Sequence, residues 1–442
     1  MVGWHAVFIF AVYYYQASEI YFMSRILFIT PYPISRIRIR SFGFVSQLAK
    51  QHTVTVLALC TGEKDMADMW SLQDAGVTII AVQEQRTQQY LRSLSVLGSQ
   101  TPLQVAFGAS PKLRAAILQQ LATGQYDLVH IEFVRALGAL PDDITVPVVW
   151  DAVDCISQLY EKGAQFGATS MLRIIGKYEA QRIRAYEYQQ LSRFQHALIT
   201  SERDRQALLE LATATTQPGG AARPIADIAV IPHGIDREYF QPYTGAREPE
   251  TLVFSGKMSF HANVAGIMHL VDKIMPLIWQ QRPHVQLVLA GSKPPDSIRK
   301  LARDPRIKVT GYVADLRPYI ARAQVALSPL PYAVGIQNKV LEAMALGTPV
   351  VASSHASAGL QVEDGKDICI ADEPEVFAAT VLRLLADRAM WDTISRGGVD
   401  YVTTHHNWET ILEQLATLYT QAIRDASALE QGKKKDSCAY SY

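Results

Sequence analysis

Short apolar runs rich in β-branched residues alternate along the chain with segments of helical periodicity. In the first half they are Ile26–Thr30, Val54–Leu59, Val77–Val82, Leu128–Phe133, Val146–Trp150, Ala197–Thr200 and Ile228–Pro232. In the second half they are Leu252–Ser255, Val285–Ala290, Ile307–Thr310, Val325–Leu327, Pro349–Ala352 and Ile368–Ala371. Continuous apolar strands alternating with helices are typical of parallel sheets covered on both faces. The pattern predicts an α/β fold with two doubly wound domains, and a single barrel remains the alternative.

The chain divides at the polar, Pro- and Gly-containing segment 241–250. We therefore expect a first domain over 23–243 and a second over 249–406. Residues 1–22 include an apolar stretch too short to span a bilayer, and no signal cleavage site follows it. We expect Met23 to be the natural start, 1–22 to be a non-native or disordered extension, and a peripheral anchor to be the alternative. The polar segment 429–442 is expected to be a disordered tail.

Composition narrows the function without naming it. Lys and Arg together number 42, as do Asp and Glu, so no overall charge draws the 442-residue chain to nucleic acid or membrane. The four cysteines show no metal-binding or disulfide spacing, so we expect neither kind of site and a reducing, cytoplasmic location. Any attraction to an anionic partner must come from a local patch.

The segment from Gly335 to Ser353 carries the most chemical information, because it predicts a loop, a short helix and a buried strand. A helix N-terminus offers unpaired N–H groups and partial positive charge to a phosphate. Lys339 and Glu342 lie about one turn apart near the helix start, and Glu342 could accept hydrogen bonds from two ribose hydroxyls. These features indicate a nucleoside diphosphate site. An ordinary αβ unit with a favourable first-turn acid fits the spacing equally well.

Other polar residues follow predicted strands, where ligands of open α/β sheets bind. Gly256 and Lys257 follow the first strand of the second half, and Asn263 opens the next helix. A glycine lets backbone approach a phosphate and a lysine neutralises it, although a surface lysine would give the same pattern. A helix cap or first-turn residue is the alternative interpretation of Asn263.

The first half offers proton-handling groups at strand ends. His130 and Glu132 share one side of an extended strand, and Asp151 follows the next strand. His233 lies in a Pro-His-Gly-Ile-Asp turn that closes this half. We expect these side chains near the cleft, with a buried, satisfied histidine and a structural turn as the alternatives.

Three arginines, Arg36, Arg38 and Arg40, alternate with isoleucines after the first strand. They would suit an anionic acceptor such as a pyrophosphate-linked lipid. A solvated basic loop fits the same pattern.

These motifs together resemble a known family. Gly256-Lys257, Pro232-His-Gly-Ile-Asp236, Val309-Thr-Gly-Tyr-Val-Ala-Asp315 and Leu341-Glu-Ala-Met-Ala345 with Gly347 and Pro349-Val-Val351 are similar to motifs of retaining family 4 glycosyltransferases of GT-B fold. Gly335-Ile-Gln-Asn-Lys339 resembles the sugar transferases associated with bacterial exopolysaccharide and exosortase systems. The resemblance covers about residues 24–423 and implies that a last helix, about 407–425, completes the first domain.

The resemblance also implies roles for individual residues. The reaction would be metal-independent transfer of a sugar from a UDP- or GDP-sugar to a saccharide or lipid-linked acceptor, without a cofactor, at or near the inner face of the membrane. Lys257, Glu132 and Asp151 would be catalytic, and Arg36, Arg38, Arg40, His130 and His233 would lie on the acceptor side. The donor would contact Gly256, Lys257, Asn263, Gly311, Tyr312, Val313, Gly335, Ile336, Gln337, Asn338, Lys339, Leu341 and Glu342.

Two departures from the family pattern leave other functions open. Val334 stands where the family has the first of two glutamates, and a phosphate-binding lysine is missing near Asn263, which makes Lys339 its candidate replacement. A non-catalytic partner in a polysaccharide assembly complex would tolerate both changes. A sugar-nucleotide epimerase of the same fold is the third possibility, which the Leu341-Glu-Ala-Met-Ala345 segment disfavours.

Overall fold

The computed structural model describes residues 23–36, 38–62, 66–166, 170–215 and 224–439, so the predicted extension 1–22 lies outside the described residues. The strands are β1 Arg25–Thr30, β2 Thr53–Cys60, β3 Thr78–Gln83, β4 Leu128–Glu132, β5 Val148–Val153, β6 His196–Ile199, β7 Asp227–Val230, β8 Thr251–Ser255, β9 Gln286–Ala290, β10 Ile307–Val309, β11 Val325–Ser328, β12 Val350–Ala352 and β13 Cys369–Ile370. Each coincides, within a few residues at its ends, with a run predicted from the sequence.

The described strands form two parallel sheets, which confirms the predicted α/β class and excludes a single barrel. The first sheet has the order β3-β2-β1-β4-β5-β6-β7, and the second has the order β10-β9-β8-β11-β12-β13. In each sheet the order reverses once, between β1 and β4 in the first and between β8 and β11 in the second. Such reversal points open a crevice at the carboxyl ends of the strands, where ligands of doubly wound sheets bind.

Helices cover both faces of both sheets. In the first domain they are α1 Ile39–Leu48, α2 Ala67–Trp70, α3 Arg86–Ser95, α4 Leu103–Gly108, α5 Pro111–Leu121, α6 Phe133–Ala136, α7 Ile156–Phe166, α8 Ser170–Leu191 and α9 Glu202–Thr215. In the second they are α10 His261–His269, α11 Met275–Gln281, α12 Asp296–Arg299, α13 Arg317–Arg322, α14 Asn338–Ala345, α15 Ser354–Ser357, α16 Pro374–Ala386 and α17 Arg388–His405, followed by α18 Trp408–Ala439.

Alternation along β1 shows how the chain fills two apolar layers at once. Ile26 and Phe28 pack into one cluster, and Leu27 and Ile29 pack into the cluster on the other face; all four are fully buried. Successive strand residues point to opposite faces, so a run apolar at every position requires cover on both sides. Each such side chain contributes about 1.5–3 kcal/mol to stability by leaving water.

The last helix, α18, returns to the first domain. Ile411, Leu415 and Tyr419 join the apolar cluster on one face of the first sheet, and α18 contacts α1, β4 and β5. The helix continues to Ala439, whereas the sequence predicts a tail without regular structure from residue 429. The segment contains Leu429, Glu430, Gln431 and three lysines, residue types that favour helix once a preceding helix supplies the nucleus.

Candidate functional site

The loops after β8 and β9 meet at two glycines beside the reversal point of the second sheet. Gly256 has φ +135° and Gly291 has φ +155°, and a Cβ on Gly291 would collide with the Gly256 carbonyl oxygen. The Gly256 N–H donates to the Ala290 carbonyl, with 3.0 Å between the heavy atoms. Both positions need glycine, and they leave the exposed Lys257 at the tip of this loop.

Lys339, on the first turn of α14, reaches across to this loop. Its Nζ donates to Asn263 Oδ1, while Asn263 Nδ2 donates to the Lys257 carbonyl at 2.9 Å. The Lys339 ammonium also lies 4.3 Å from the centroid of the Phe254 ring and packs against Gly256. The structure therefore brings Gly256, Lys257, Asn263 and Lys339 together, although they come from three separate elements.

Lys339 and Glu342 share a partly buried environment that opposes the charge of each. Burial lowers the pKa of Lys339 to about 7, against the favourable effect of Glu342. Burial likewise raises the pKa of Glu342 to about 7, against the favourable effect of Lys339. Two ionisable groups poised near neutrality in one cleft are typical of a ligand site, and an anion beside Lys339 would favour its charged form.

The loop before α14 brings backbone N–H groups to the same place. Gln337 occupies the N-cap position without capping the helix through its side chain, which instead donates to the Val334 carbonyl at 3.0 Å. Among the residues of this loop, Gly335 has φ +61°. The start of α14 therefore keeps donors that a side-chain cap would otherwise have engaged, as an anion site requires.

Residues of the first domain hold this loop directly. The Gly335 N–H donates to Asp204 Oδ2 at 3.1 Å, and Lys162 Nζ donates to the Ala333 carbonyl at 3.0 Å. A Cβ on Gly335 would collide with Asp154 Oδ1, so the Asp154 carboxyl packs against this glycine. The two domains are in contact at the loop predicted to bind the donor.

The residues expected near a nucleotide base lie at the end of the adjoining strand. The Thr310 hydroxyl accepts the Gly291 N–H at 3.1 Å, which joins the β10 loop to the β9 loop. Gly311 has φ +68°, and the Tyr312 side chain is 78% exposed. Val313 is half-buried beside it. An exposed aromatic ring here is free to stack on a planar ligand.

A buried ion pair lies on the first-domain side of the cleft. Arg40 Nε donates to Asp151 Oδ2 at 2.7 Å and Nη2 donates to Oδ1 at 3.0 Å, while Nη1 donates to the Ile231 carbonyl. Burial favours the neutral acid, but the Arg40 and His130 charges together hold the pKa of Asp151 below its usual value. Arg40 is therefore engaged inside the domain, unlike the exposed Arg36 and Arg38.

Glu132 lies one strand away from Asp151, with which it is in register. Its Oε1 accepts hydrogen bonds from Tyr32 at 2.8 Å and from Ser41 at 2.6 Å. Its Oε2 is buried without a hydrogen-bond partner among the described residues. Burial, followed by the Asp151 charge, raises the pKa of Glu132. This carboxyl is better suited to accept a proton at neutral pH than an ordinary glutamate.

The two histidines of this region, His130 and His233, are buried. His130 stacks on Phe28, and its Nδ1 bonds to Tyr419 Oη of α18 at 2.7 Å. His233 has its pKa lowered to about 3, because burial and the neighbouring His406 oppose its charge. His130 is fully buried, and its Nε2 has no hydrogen-bond partner among the described residues but lies 3.6 Å from Asp151 Oδ2.

Both strand ends that carry these acids have unusual backbone. Phe133, directly after Glu132, has φ +69°, and Val153, two residues after Asp151, has φ +66°. Bulky and β-branched side chains rarely adopt this region, and such conformations cluster at functional sites. The backbone is therefore strained at the carboxyl ends of β4 and β5, where Glu132 and Asp151 lie.

The structure thus brings part of the predicted set together and adds residues that the sequence does not indicate. In the second domain Gly256, Lys257, Asn263 and Lys339 are in contact, and Leu341 is buried in the core with Ile336 packed against it. In the first domain Asp151, His130 and Arg40 are turned inward. The additional residues are Tyr32, Ser41, Lys162, Asp204 and Tyr419.

The Asp154–Asp204 pair predicts a pH dependence of stability. Burial and the Asp204 charge raise the pKa of Asp154 from 3.8 to about 7, so the folded chain keeps a proton that the unfolded chain has lost between these values. The stability contributed by this group therefore falls as pH rises from about 4 through about 7. In urea unfolding, Asp154→Asn is expected to lose less stability than the wild type between about pH 5 and about pH 8. Asp296→Asn, at an exposed position, is the control, and parallel profiles for Asp154→Asn and the wild type would contradict the assignment.

Comparison with known proteins places the match in the second domain. Residues 249–387 match the family model described as glycosyl transferases group 1. The chain is 27% identical over 216 residues to a GDP-mannose-dependent alpha-(1-6)-phosphatidylinositol monomannoside mannosyltransferase of Mycobacterium tuberculosis, covering 44% of this chain and 56% of that protein. The chain spans about half the length of that relative. It is 27% identical to D-inositol 3-phosphate glycosyltransferase of Mycolicibacterium vanbaalenii over 362 residues, 72% of this chain and 73% of the relative.

Solved structures with little sequence identity share the whole architecture. Sucrose-phosphate synthase from Thermosynechococcus elongatus superposes with a TM-score of 0.64 at 18% identity, over 91% of this chain and 100% of that one. HepE of Anabaena in complex with UDP superposes with a TM-score of 0.61 at 16% identity, over 90% of this chain and 100% of that one. Together with the two parallel sheets, these neighbours show that the fold is GT-B.

Proposed function

We propose that the chain is a glycosyltransferase that moves a sugar from a nucleoside-diphosphate sugar to an acceptor hydroxyl. The observation that carries the proposal is the contact of Lys339 with Asn263 and Gly256 at the reversal point of the second sheet. It places a cation, a close backbone approach and a helix N-terminus at one point. The group 1 match covers this same stretch, residues 249–387.

In this proposal the donor lies on the second domain. Lys257, Lys339 and the N–H groups from Ile336 to Asn338 hold the diphosphate, with Asn263 orienting Lys339. Glu342 accepts hydrogen bonds from the ribose, and the Gly311–Val313 loop meets the base. Val334 offers no carboxylate to the sugar, and the first domain supplies Asp154 and Asp204 on the other side of Gly335.

The chemistry follows from where charge develops. As the bond from the sugar C1 to the diphosphate oxygen breaks, negative charge grows on the leaving diphosphate. Cations and N–H groups already fixed around that position stabilise the charge without reorganising, and contact between the domains excludes water. We propose that these groups suffice without a metal. Stereochemical retention is proposed from the resemblance to family 4 alone.

The acceptor is proposed to enter along the first domain, past Arg36 and Arg38 towards Glu132. Glu132 is the candidate base, since its raised pKa suits proton transfer and one of its oxygens is unpartnered. Asp151 then acts as a positioning residue through Arg40. A saccharide or lipid-linked acceptor fits the exposed arginines, and we propose a role in exopolysaccharide or glycoconjugate synthesis at the cytoplasmic face of the membrane.

Binding of nucleotides tests the donor site. One of UDP, GDP, ADP or CMP, added without metal well above its dissociation constant, is expected to stabilise the protein by a few kcal/mol in thermal unfolding. Glu342→Ala is expected to remove most of that stabilisation, and the exposed Glu375→Ala is the control. The absence of stabilisation by any nucleotide would overturn the donor site and favour a non-catalytic partner, the alternative prompted by Val334.

A further inference from the structure

Helix α3 presents a continuous apolar face to solvent. Tyr90 is 59% exposed, Leu91 65%, Leu94 59% and Leu97, just after the helix, 47%. Their spacing of one, three and three residues places them along one side of a helix. Side chains of this size are normally buried when they cluster, so an exposed contiguous group of them marks an interaction surface.

The exposed start of α8 extends the same surface. Ile174 is 68% exposed, and Tyr178, one turn further along, donates its hydroxyl to the Leu97 carbonyl. Arg182 Nη2 donates to the same carbonyl at 3.3 Å. These bonds join α8 to Leu97, just after α3, so the two helices form one surface. We call it the docking face, and it consists of Tyr90, Leu91, Leu94, Leu97, Ile174 and Tyr178.

The charge around the docking face has one sign. Residues 85–98, which carry the first part of this face, contain no Asp or Glu but contain Arg86 and Arg92. Arg92 is neutralised by the buried Glu84, and Arg86 is exposed one turn before Tyr90. On α8, Arg173 and Lys177 are exposed beside Ile174 and Tyr178, with no acid between residues 170 and 178. An apolar face bordered by cations alone is complementary to an anionic surface.

We propose that the docking face binds the surface of an anionic lipid bilayer, with its apolar side chains entering the headgroup region and its cations contacting lipid phosphates. Amphipathic helices with aromatic and leucine side chains on one side and Arg or Lys beside them bind bilayers in this way. Among the described residues, no helix has the length and apolar character to cross a membrane. Attachment would therefore be peripheral and reversible.

The position of the docking face suits a lipid-linked acceptor, a point that rests on the proposed function. A row of aromatic rings connects it to the cleft. Tyr90 lies 5.5 Å from Phe107, and Arg135 lies 5.0 Å from Phe107 and 5.8 Å from Phe133. Phe133 lies 6.4 Å from Tyr32, which donates to Glu132. A protein seated on this face would hold its acceptor side close to the bilayer.

Co-sedimentation of the full chain with lipid vesicles tests the proposal without any donor or acceptor. The wild type is expected to bind phosphatidylglycerol-containing vesicles and to bind pure phosphatidylcholine vesicles about tenfold or more weakly, with release by high salt. Leu91→Ser/Leu94→Ser and, separately, Arg86→Glu/Lys177→Glu are each expected to weaken binding about tenfold or more. Val376→Ser, which removes a 54% exposed apolar side chain from the second domain, is the control.

Failure of either double variant to fold is detected by loss of its cooperative thermal transition, and the other variant then carries the test. Wild-type binding that is equal for both lipids, absent for both, or unchanged in a folded double variant would overturn the proposal. A dimer in sedimentation velocity that the Leu91→Ser/Leu94→Ser change dissociates, without vesicle binding by the wild type, would instead assign the face to a second copy. The vesicle assay uses no nucleotide, so its result can still be interpreted if the proposed glycosyltransferase activity is disproved.

Discussion

Replacing Lys339 by alanine is expected to weaken nucleoside diphosphate binding by about ten- to a hundredfold. A hydrogen bond to a charged group contributes about 1.5–3 kcal/mol, and the other lysine of the proposed site, Lys257, is exposed to solvent. Asn263 holds the Lys339 ammonium in place through a hydrogen bond. Alanine at position 339 therefore removes the cation whose position the site fixes. Isothermal titration calorimetry with the nucleotide chosen by thermal unfolding measures the loss.

The pKa of Lys339 gives this prediction a second readout. Because burial lowers that pKa to about 7, the wild type should bind nucleoside diphosphate more weakly as pH rises above about 7, while Lys339→Ala should show a smaller dependence, since Glu342 still titrates near 7. The exposed Lys273→Ala should bind as the wild type does at every pH. An unchanged affinity in Lys339→Ala would remove Lys339 from the donor site.

Replacing Arg40 by alanine is expected to destabilise the protein by about 3–5 kcal/mol. The change leaves the Asp151 carboxylate, which is fully buried, without its bidentate partner and close to Glu132. Breaking one half of a buried ion pair costs this much because the remaining charge stays desolvated. Urea unfolding followed by far-ultraviolet circular dichroism measures the effect.

The neighbouring arginine supplies a matched control. Arg36 lies four residues earlier in the same segment and its side chain is exposed over the Phe42 ring, so Arg36→Ala should cost less than about 1 kcal/mol. A double Arg40→Met/Asp151→Leu variant, which removes both charges, should recover part of the stability. Equal losses of unfolding free energy in Arg36→Ala and Arg40→Ala would show that the buried ion pair does not contribute the stability assigned to it.

The fold was predictable because each strand is apolar at almost every position. Ile26, Leu27, Phe28 and Ile29 must all leave water, and only a strand covered on both faces allows it. Part of the candidate second-domain site was also open to prediction, because its residues are close in sequence. Gly335, Lys339 and Glu342 lie within a few residues of one another, so local spacing already places them on one loop and one helix turn.

Contacts between segments far apart in the chain could not be predicted from the sequence. Arg36, Arg38 and Arg40 alternate identically, and only the folded path of the chain shows that Arg40 turns inward to Asp151, 111 residues away. Tyr419 bonds to His130 from 289 residues away, and Asp204 bonds to Gly335 from 131 residues away. No pattern of spacing marks such pairs, because long-range partners are set by tertiary packing. Tyr419, Asp204 and the inward turn of Arg40 therefore appear only in the structure.

The most direct test of sugar transfer follows donor and products together. The purified protein is incubated with the sugar nucleotides of the base chosen by thermal unfolding and a bacterial lipid extract, and the mixture is resolved by mass spectrometry. We predict release of nucleoside diphosphate in step with appearance of the sugar on an extracted lipid or saccharide, with both lost in Lys339→Ala. Interconversion of the sugar nucleotide without release of diphosphate, or binding without turnover of any donor, would contradict a transferase.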